Sequence, residues 1–135
     1  MIVLDTHIFV WWNQNDPKLT SYHREIINRE RPDGLGICTI SLIEIARLVQ
    51  AGRIILPLPI QEWFKIALAQ EGVILISITP EIAIDAQSLP GNFHKDPADR
   101  IIVATARLSN CSIVTVDQKI LNYSYVSSIP PIPPT

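Results

Sequence analysis

Four stretches of this chain are short and almost continuously apolar: Ile2-Val3-Leu4, residues 35–39, residues 73–78 and residues 112–116. None alternates apolar with polar, so each reads as a strand covered on both faces, which is the habit of parallel sheets. Segments with helical periodicity or helix-start signals separate them. The alternation predicts an α/β three-layer sandwich: a central, mostly parallel sheet of four to five strands flanked by helices, with right-handed crossovers.

The helices are read from their punctuation. Residues 5–13 form a turn and a short helix carrying Phe9, Trp11 and Trp12. Asp16-Pro17 starts a second helix that runs to about Arg31, ahead of Pro32 and Gly34. Ser41 and Glu44 have capping-box spacing and open a helix that stops at Gly52. After a connector at 54–59, residues 60–71 give an amphipathic helix with Trp63, Phe64, Ala67 and Leu68 on one side. Thr79-Pro80 caps a helix to about Leu89, and another helix spans about 97–109. A helical turn follows at 119–121 and an edge strand at 125–126. The ending Ile129-Pro130-Pro131-Ile132-Pro133-Pro134 is neither helix nor central strand and is expected to be extended. The expected organisation is one domain over 1–128 with a Pro-rich tail over 129–135. Trp11 and Trp12 are adjacent, as are Trp63 and Phe64, so a helix cannot bury both members of a pair equally. One of each is expected in the core, the other toward a partner or dimer interface.

With 135 residues, 47% hydrophobic and 18% charged, the chain buries its own core and is not disordered. No apolar run reaches the roughly 18 residues of a membrane span, and Met1 to Asp5 shows no secretory signal. Cys38 and Cys111 lack metal-ligand spacing and read as reduced core residues of a cytoplasmic protein.

Acidic residues break this apolar pattern at telling places. Asp5 follows the first strand, Glu44 lies just beyond the second, Asp117 follows the fourth, and Asp99 lies in the helix start His94-Lys95-Asp96-Pro97-Ala98-Asp99-Arg100. Each has a purely structural reading: Asp5 and Asp96 as N-caps, Glu44 as half of a capping box, Asp99 in a first turn, Asp117 closing a turn. Together they fall on one edge of a parallel sheet, where open α/β folds place their sites. Two carboxylates about 4 Å apart repel by roughly 4 kcal/mol at an effective dielectric near 20. Four converging acids therefore call for a divalent cation, and Mg²⁺ or Mn²⁺ suits hard oxygen ligands. The net charge of -2 does not exclude a phosphate-backbone substrate, because without these four the remaining nine acids face 11 Lys and Arg. Arg100, Arg47, Lys95 and Lys119 lie beside cluster members and are candidates to hold phosphates, against the alternative of plain surface charge. His7, His23 and His94 lack zinc-site spacing, and a loop residue such as His94 is more often incidental. A phosphatase is disfavoured, because Asp5-Thr6-His7 has no second Asp two positions on.

At this point the chain resembles the PIN-domain nucleases, in particular the VapC-like toxins of toxin–antitoxin pairs. The matching segments are LDTH at 4–7, SLIEIARL at 41–48, HKDPADRIIVATA at 94–106 and VTVDQKI at 114–120. They cover nearly the whole chain, and HKDPADRIIVATA is the most specific. The resemblance implies that Asp5, Glu44, Asp99 and Asp117 form a metal-binding catalytic cluster. Asp96 assists, and Thr6, Ser41 and Thr115 serve as hydroxyl partners. It also implies Mg²⁺- or Mn²⁺-dependent cleavage of RNA, dimerisation and inhibition by a cognate antitoxin. A DNA- or structure-specific nuclease and a catalytically inactive RNA- or protein-binding module remain alternatives.

Overall fold

The computed structural model describes residues 1–134. The sheet is assembled from β1 (Ile2–Leu4), β2 (Leu35–Cys38), β3 (Val73–Ile76), β4 (Ile113–Val114) and β5 (Ser128–Ile129). All pairings are parallel, in the spatial order β3-β2-β1-β4-β5. The helices are α1 (Thr6–Gln14), α2 (Ser21–Glu30), α3 (Ile40–Gln50), α4 (Ile60–Leu68), α5 (Pro80–Gln87), α6 (Pro97–Leu108) and α7 (Gln118–Leu121). A 3₁₀ turn covers Arg31–Asp33.

Alternation along the strands divides the core into the two layers expected of a covered sheet. Leu4, Leu35, Ile37 and Val114 pack with Ile8, Phe9, Ile27, Ile45 and Trp63. Val3, Cys38 and Ile113 belong to a second core with Ile102, Val103, Ala106 and Ile120. The chain runs outward from the central β1 through β2 to β3, then crosses to β4 on the other side of β1. This reversal leaves a crevice at the carboxyl ends of β1 and β4, the switch point where doubly wound sheets bind ligands.

Several local expectations are corrected. Asp16 does not start a long helix: its Oδ1 accepts from the Lys18 amide within a turn, and α2 begins only at Ser21, where the Thr20 hydroxyl accepts from the His23 amide. Thr20 is the cap that gives Tyr22 and the buried His23 their places. Strand β3 is not fully covered. It is an edge strand, and Ile74 and Leu75 are both exposed. The fifth strand is not at 125–126 but at Ser128–Ile129, where Ile129 pairs with Val114, so the sheet runs into the first residue of the Pro-rich tail. Thr20 Oγ1 donates to the Pro131 carbonyl at 2.5 Å, and His23 Nε2 contacts the Ile129 carbonyl at 2.9 Å, binding the tail to α2.

Trp63 is buried and Phe64 half-buried, as the adjacency argument requires. Trp11 and Trp12 are both half-buried, because Phe9 takes the core position on α1. Cys38 is buried, Cys111 half-buried, and both are free thiols. Among the described residues no helix is long and apolar enough to cross a membrane.

Candidate active site

Asp5 ends β1 and is the N-cap of α1. Its Oδ1 accepts from the Thr6 amide at 2.9 Å, and its Oδ2 accepts from the Thr115 hydroxyl at 2.7 Å. Thr115 lies one residue beyond β4, so this bond closes the crevice between the two central strands. The same Thr115 hydroxyl accepts from the Asp117 amide at 3.0 Å, and Asp117 Oδ1 caps α7 through the Lys119 amide at 2.9 Å. One hydroxyl thus fixes two acids that lie 112 positions apart in sequence.

Ser41 and Glu44 do not form the capping box their spacing suggests. Helix α3 begins at Ile40, its N-cap Thr39 makes no side-chain bond, and Glu44 lies beyond the first turn. Ser41 and Glu44 instead share a helix face one turn apart, and both reach Thr6. Thr6 Oγ1 donates to Glu44 Oε1 at 2.6 Å and lies 2.8 Å from the buried Ser41 Oγ. Glu44 is therefore tied to α1, beside Asp5.

Asp99 comes from the first turn of α6, whose N-cap is Asp96 through the Ala98 amide at 3.0 Å. Burial, reinforced by the charges of Asp5, Asp96, Asp117 and Glu44, raises its carboxyl from the ordinary range to about 7. Burial also raises Asp5, opposed by its bonds from Thr115 and Thr6 and reinforced by Glu44 and Asp117. Asp5 and Asp99 thus both feel the charges of Glu44 and Asp117. Among the described residues, the donor atoms that gather within 4.8 Å of one another belong to Asp99, Asp117 and His94; Asp5 and Glu44, expected as metal ligands, lie outside this set.

A family model for the PIN domain matches residues 2–124. This chain belongs to the PIN-domain family. It is 36% identical over 124 residues to "Ribonuclease VapC22" of Mycobacterium tuberculosis (strain ATCC 25618 / H37Rv), an alignment covering 92% of each chain. Among solved structures it is similar in fold to a chain of "Toxin-antitoxin complex from Klebsiella pneumoniae", with a TM-score of 0.70, 17% identity and 98% of each chain covered. It is similar also to a chain of VapBC2 from Rickettsia felis bound to a promoter DNA fragment, with a TM-score of 0.71, 17% identity, and 96% and 98% coverage.

The basic residues around this PIN-domain cluster have unequal roles. Arg100 is not a free phosphate ligand. Its Nε donates to the Ala86 carbonyl at 2.8 Å, and its Nη1 donates to the carbonyls of Phe93 and His94 at 3.1 and 3.2 Å. It fixes the loop before α6 because that loop has carbonyls with no strand or helix to receive them. Arg47 stands 3.9 Å from Glu44 on a largely exposed side chain. Lys95 and Lys119 are exposed and make no ion pair among the described residues. The sequence weighs His94 only as a substrate contact against an incidental loop residue, not as a neighbour of the acids. A lone loop histidine carries no spacing signature, and only its position two residues before Asp96 and five before Asp99 hinted at the cluster.

Proposed function

We infer that this PIN-domain protein is a divalent-metal-dependent endoribonuclease and the toxin of a toxin–antitoxin pair, acting in the cytoplasm on cellular RNA. The observation that carries this reading is the meeting of acids from separate segments at the switch point of the sheet: Thr115 bonds to Asp5 and Asp117, Thr6 bonds to Asp5 and Glu44, and an Asp99 oxygen lies within 4.8 Å of one of Asp117. The identity to a protein named a ribonuclease supports the substrate class, and the toxin–antitoxin complexes among the fold's neighbours support an antitoxin partner.

The donor set fits a hard divalent cation. It is mainly carboxylate oxygen, and a cation of +2 would favour the charged form of Asp99 that burial, with the neighbouring acids, disfavours. Asp99 and Asp117 would hold Mg²⁺ or Mn²⁺ directly, with Asp5 and Glu44 completing the negative field. When bound, such an ion would supply Lewis-acid polarisation of a phosphodiester and lower the pKa of a water so that it could serve as the nucleophile near neutral pH. The chain's own residues do the positioning. Thr115 orients Asp5 and Asp117, while Thr6 and Ser41 orient Glu44. Lys95 and Lys119, exposed at the rim, contact the flanking phosphates. No side chain is needed as a covalent nucleophile.

A homodimer and the antitoxin would cover apolar surface such as Ile43, Ile55 and Ile66, all exposed on or beside α3 and α4. The deciding experiment measures Mg²⁺- or Mn²⁺-dependent RNA cleavage by the wild type and by Asp5→Asn. Loss of at least about a hundredfold in the variant is expected for a group central to metal catalysis. Equal activity in the two proteins overturns the reading.

A further inference from the structure

His94 is held firmly at a place where a free loop histidine would have no reason to be held. Arg100 fixes its carbonyl and that of Phe93, and the Phe93 ring lies 4.5 Å from the imidazole and 4.8 Å from the Tyr123 ring. The Nε2 atom so positioned is buried and has no hydrogen-bond partner. Yet it lies 3.0 Å from Asp99 Oδ2, close enough for an ion pair but not aligned for a hydrogen bond. An Asp117 oxygen completes the trio.

A buried imidazole nitrogen beside a carboxylate normally turns to donate to it. Here it makes no such bond, and an oxygen of Asp117 lies within 4.8 Å of a ring nitrogen of His94 and of an Asp99 oxygen. Adjacent ligands of an octahedral ion at about 2.1 Å are separated by about 3.0 Å, the distance found here. Accordingly, the geometry points to His94 Nε2 as a nitrogen ligand of the cation held by Asp99 and Asp117, giving a mixed nitrogen–oxygen site that prefers Mn²⁺ to Mg²⁺. The inference rests on the proposed metal-holding role of the acids. The preference follows from the ligand: Mg²⁺ favours oxygen and water, whereas imidazole suits the transition ions, and intrinsic affinity rises from Mn²⁺ onward along the first row. Ligation would use the Nε2 lone pair and leave the ring N–H on Nδ1.

The test uses the full chain with Mn²⁺ as the probe. Binding is read from the loss of the free-ion electron paramagnetic resonance signal, and ligation from the nitrogen modulation of the electron spin echo. The expected result is ¹⁴N coupling in the wild type, converted to the ¹⁵N pattern when histidine is supplied as ¹⁵N. The coupling is lost in His94→Gln and kept in His7→Gln. The His94→Gln variant should also lower the Mn²⁺-over-Mg²⁺ affinity ratio by roughly tenfold, as loss of a site-defining group does. The isotope experiment needs no substitution, so a poorly folding variant does not block the test. Bound Mn²⁺ with no nitrogen coupling overturns the role of His94 and leaves the acid cluster intact, as does coupling that survives in His94→Gln. Failure of the wild type to bind either ion overturns both readings.

Discussion

Thr115 Oγ1 donates to Asp5 Oδ2 across the seam between β4 and β1, at 2.7 Å. The other carboxylate oxygen, Oδ1, takes the Thr6 amide, so Thr115 and Thr6 together fix the Asp5 carboxylate. Thr115→Val is expected to lower metal affinity or RNA cleavage by about 10–100-fold, the usual cost of removing a group that orients a ligand. Thr115→Ser should restore most of it. Isothermal titration with Mn²⁺ and single-turnover cleavage check this, and unchanged values in the valine variant would remove Thr115 from the site.

Arg100 and the two rim lysines should separate in a salt titration. Arg100→Ala breaks charge-assisted bonds to three carbonyls, so a stability loss of about 1.5–3 kcal/mol is expected. The salt dependence of RNA binding should stay as in the wild type. Lys95→Ala and Lys119→Ala should leave the melting temperature alone and each flatten the log–log salt slope by about 0.7. The reverse assignment of effects would make Arg100 a phosphate contact.

The raised Asp99 carboxyl makes metal-free stability depend on pH. With a native pKa of about 7 against about 4 in the unfolded chain, the native state holds a proton that the unfolded state releases. That contribution is complete below about pH 4 and is lost as pH rises through about 7. In chelator, urea unfolding should therefore show Asp99→Asn gaining on the wild type from pH 4 to 7, then levelling off. Adding Mn²⁺ at pH 8 should reverse the order. A pH-independent difference contradicts the shift.

His23 should act in the opposite direction. Burial lowers its pKa from 6.5 in spite of the bonds to the Ile129 and Pro130 carbonyls. The unfolded chain then takes up a proton that the native state refuses, so stability falls as pH drops below about 6.5. Between pH 7.5 and 5.5 the wild type should lose more unfolding free energy than His23→Gln. Equal losses would mean that His23 is charged in the fold.

The parallel architecture was legible because continuous apolar strands alternate with capped helices. That Asp5 and Asp117 would stand near each other was legible because strand exits in such sheets share an edge. Other features depended on distant partners. Ser-x-x-Glu spacing describes both a capping box and two neighbours on one helix face, and only Thr6, 35 positions before Ser41, selects the second. Arg100 next to Asp99 looks like a ligand contact, but the unpaired carbonyls of the preceding loop claim it. Strand β5 was missed because its place is fixed by Val114 and by α2 rather than by its own sequence, which leads straight into prolines.

The seam between β1 and β4 also bears on how the protein is made. The four acids enter at positions 5, 44, 99 and 117, and the bond between Asp5 and Thr115 spans 110 residues. Contacts of such separation form late in folding. During synthesis, most of the chain would already have left the ribosome while the acid set was still incomplete. The proposed metal-holding acids therefore come together only after the last strands have joined the sheet.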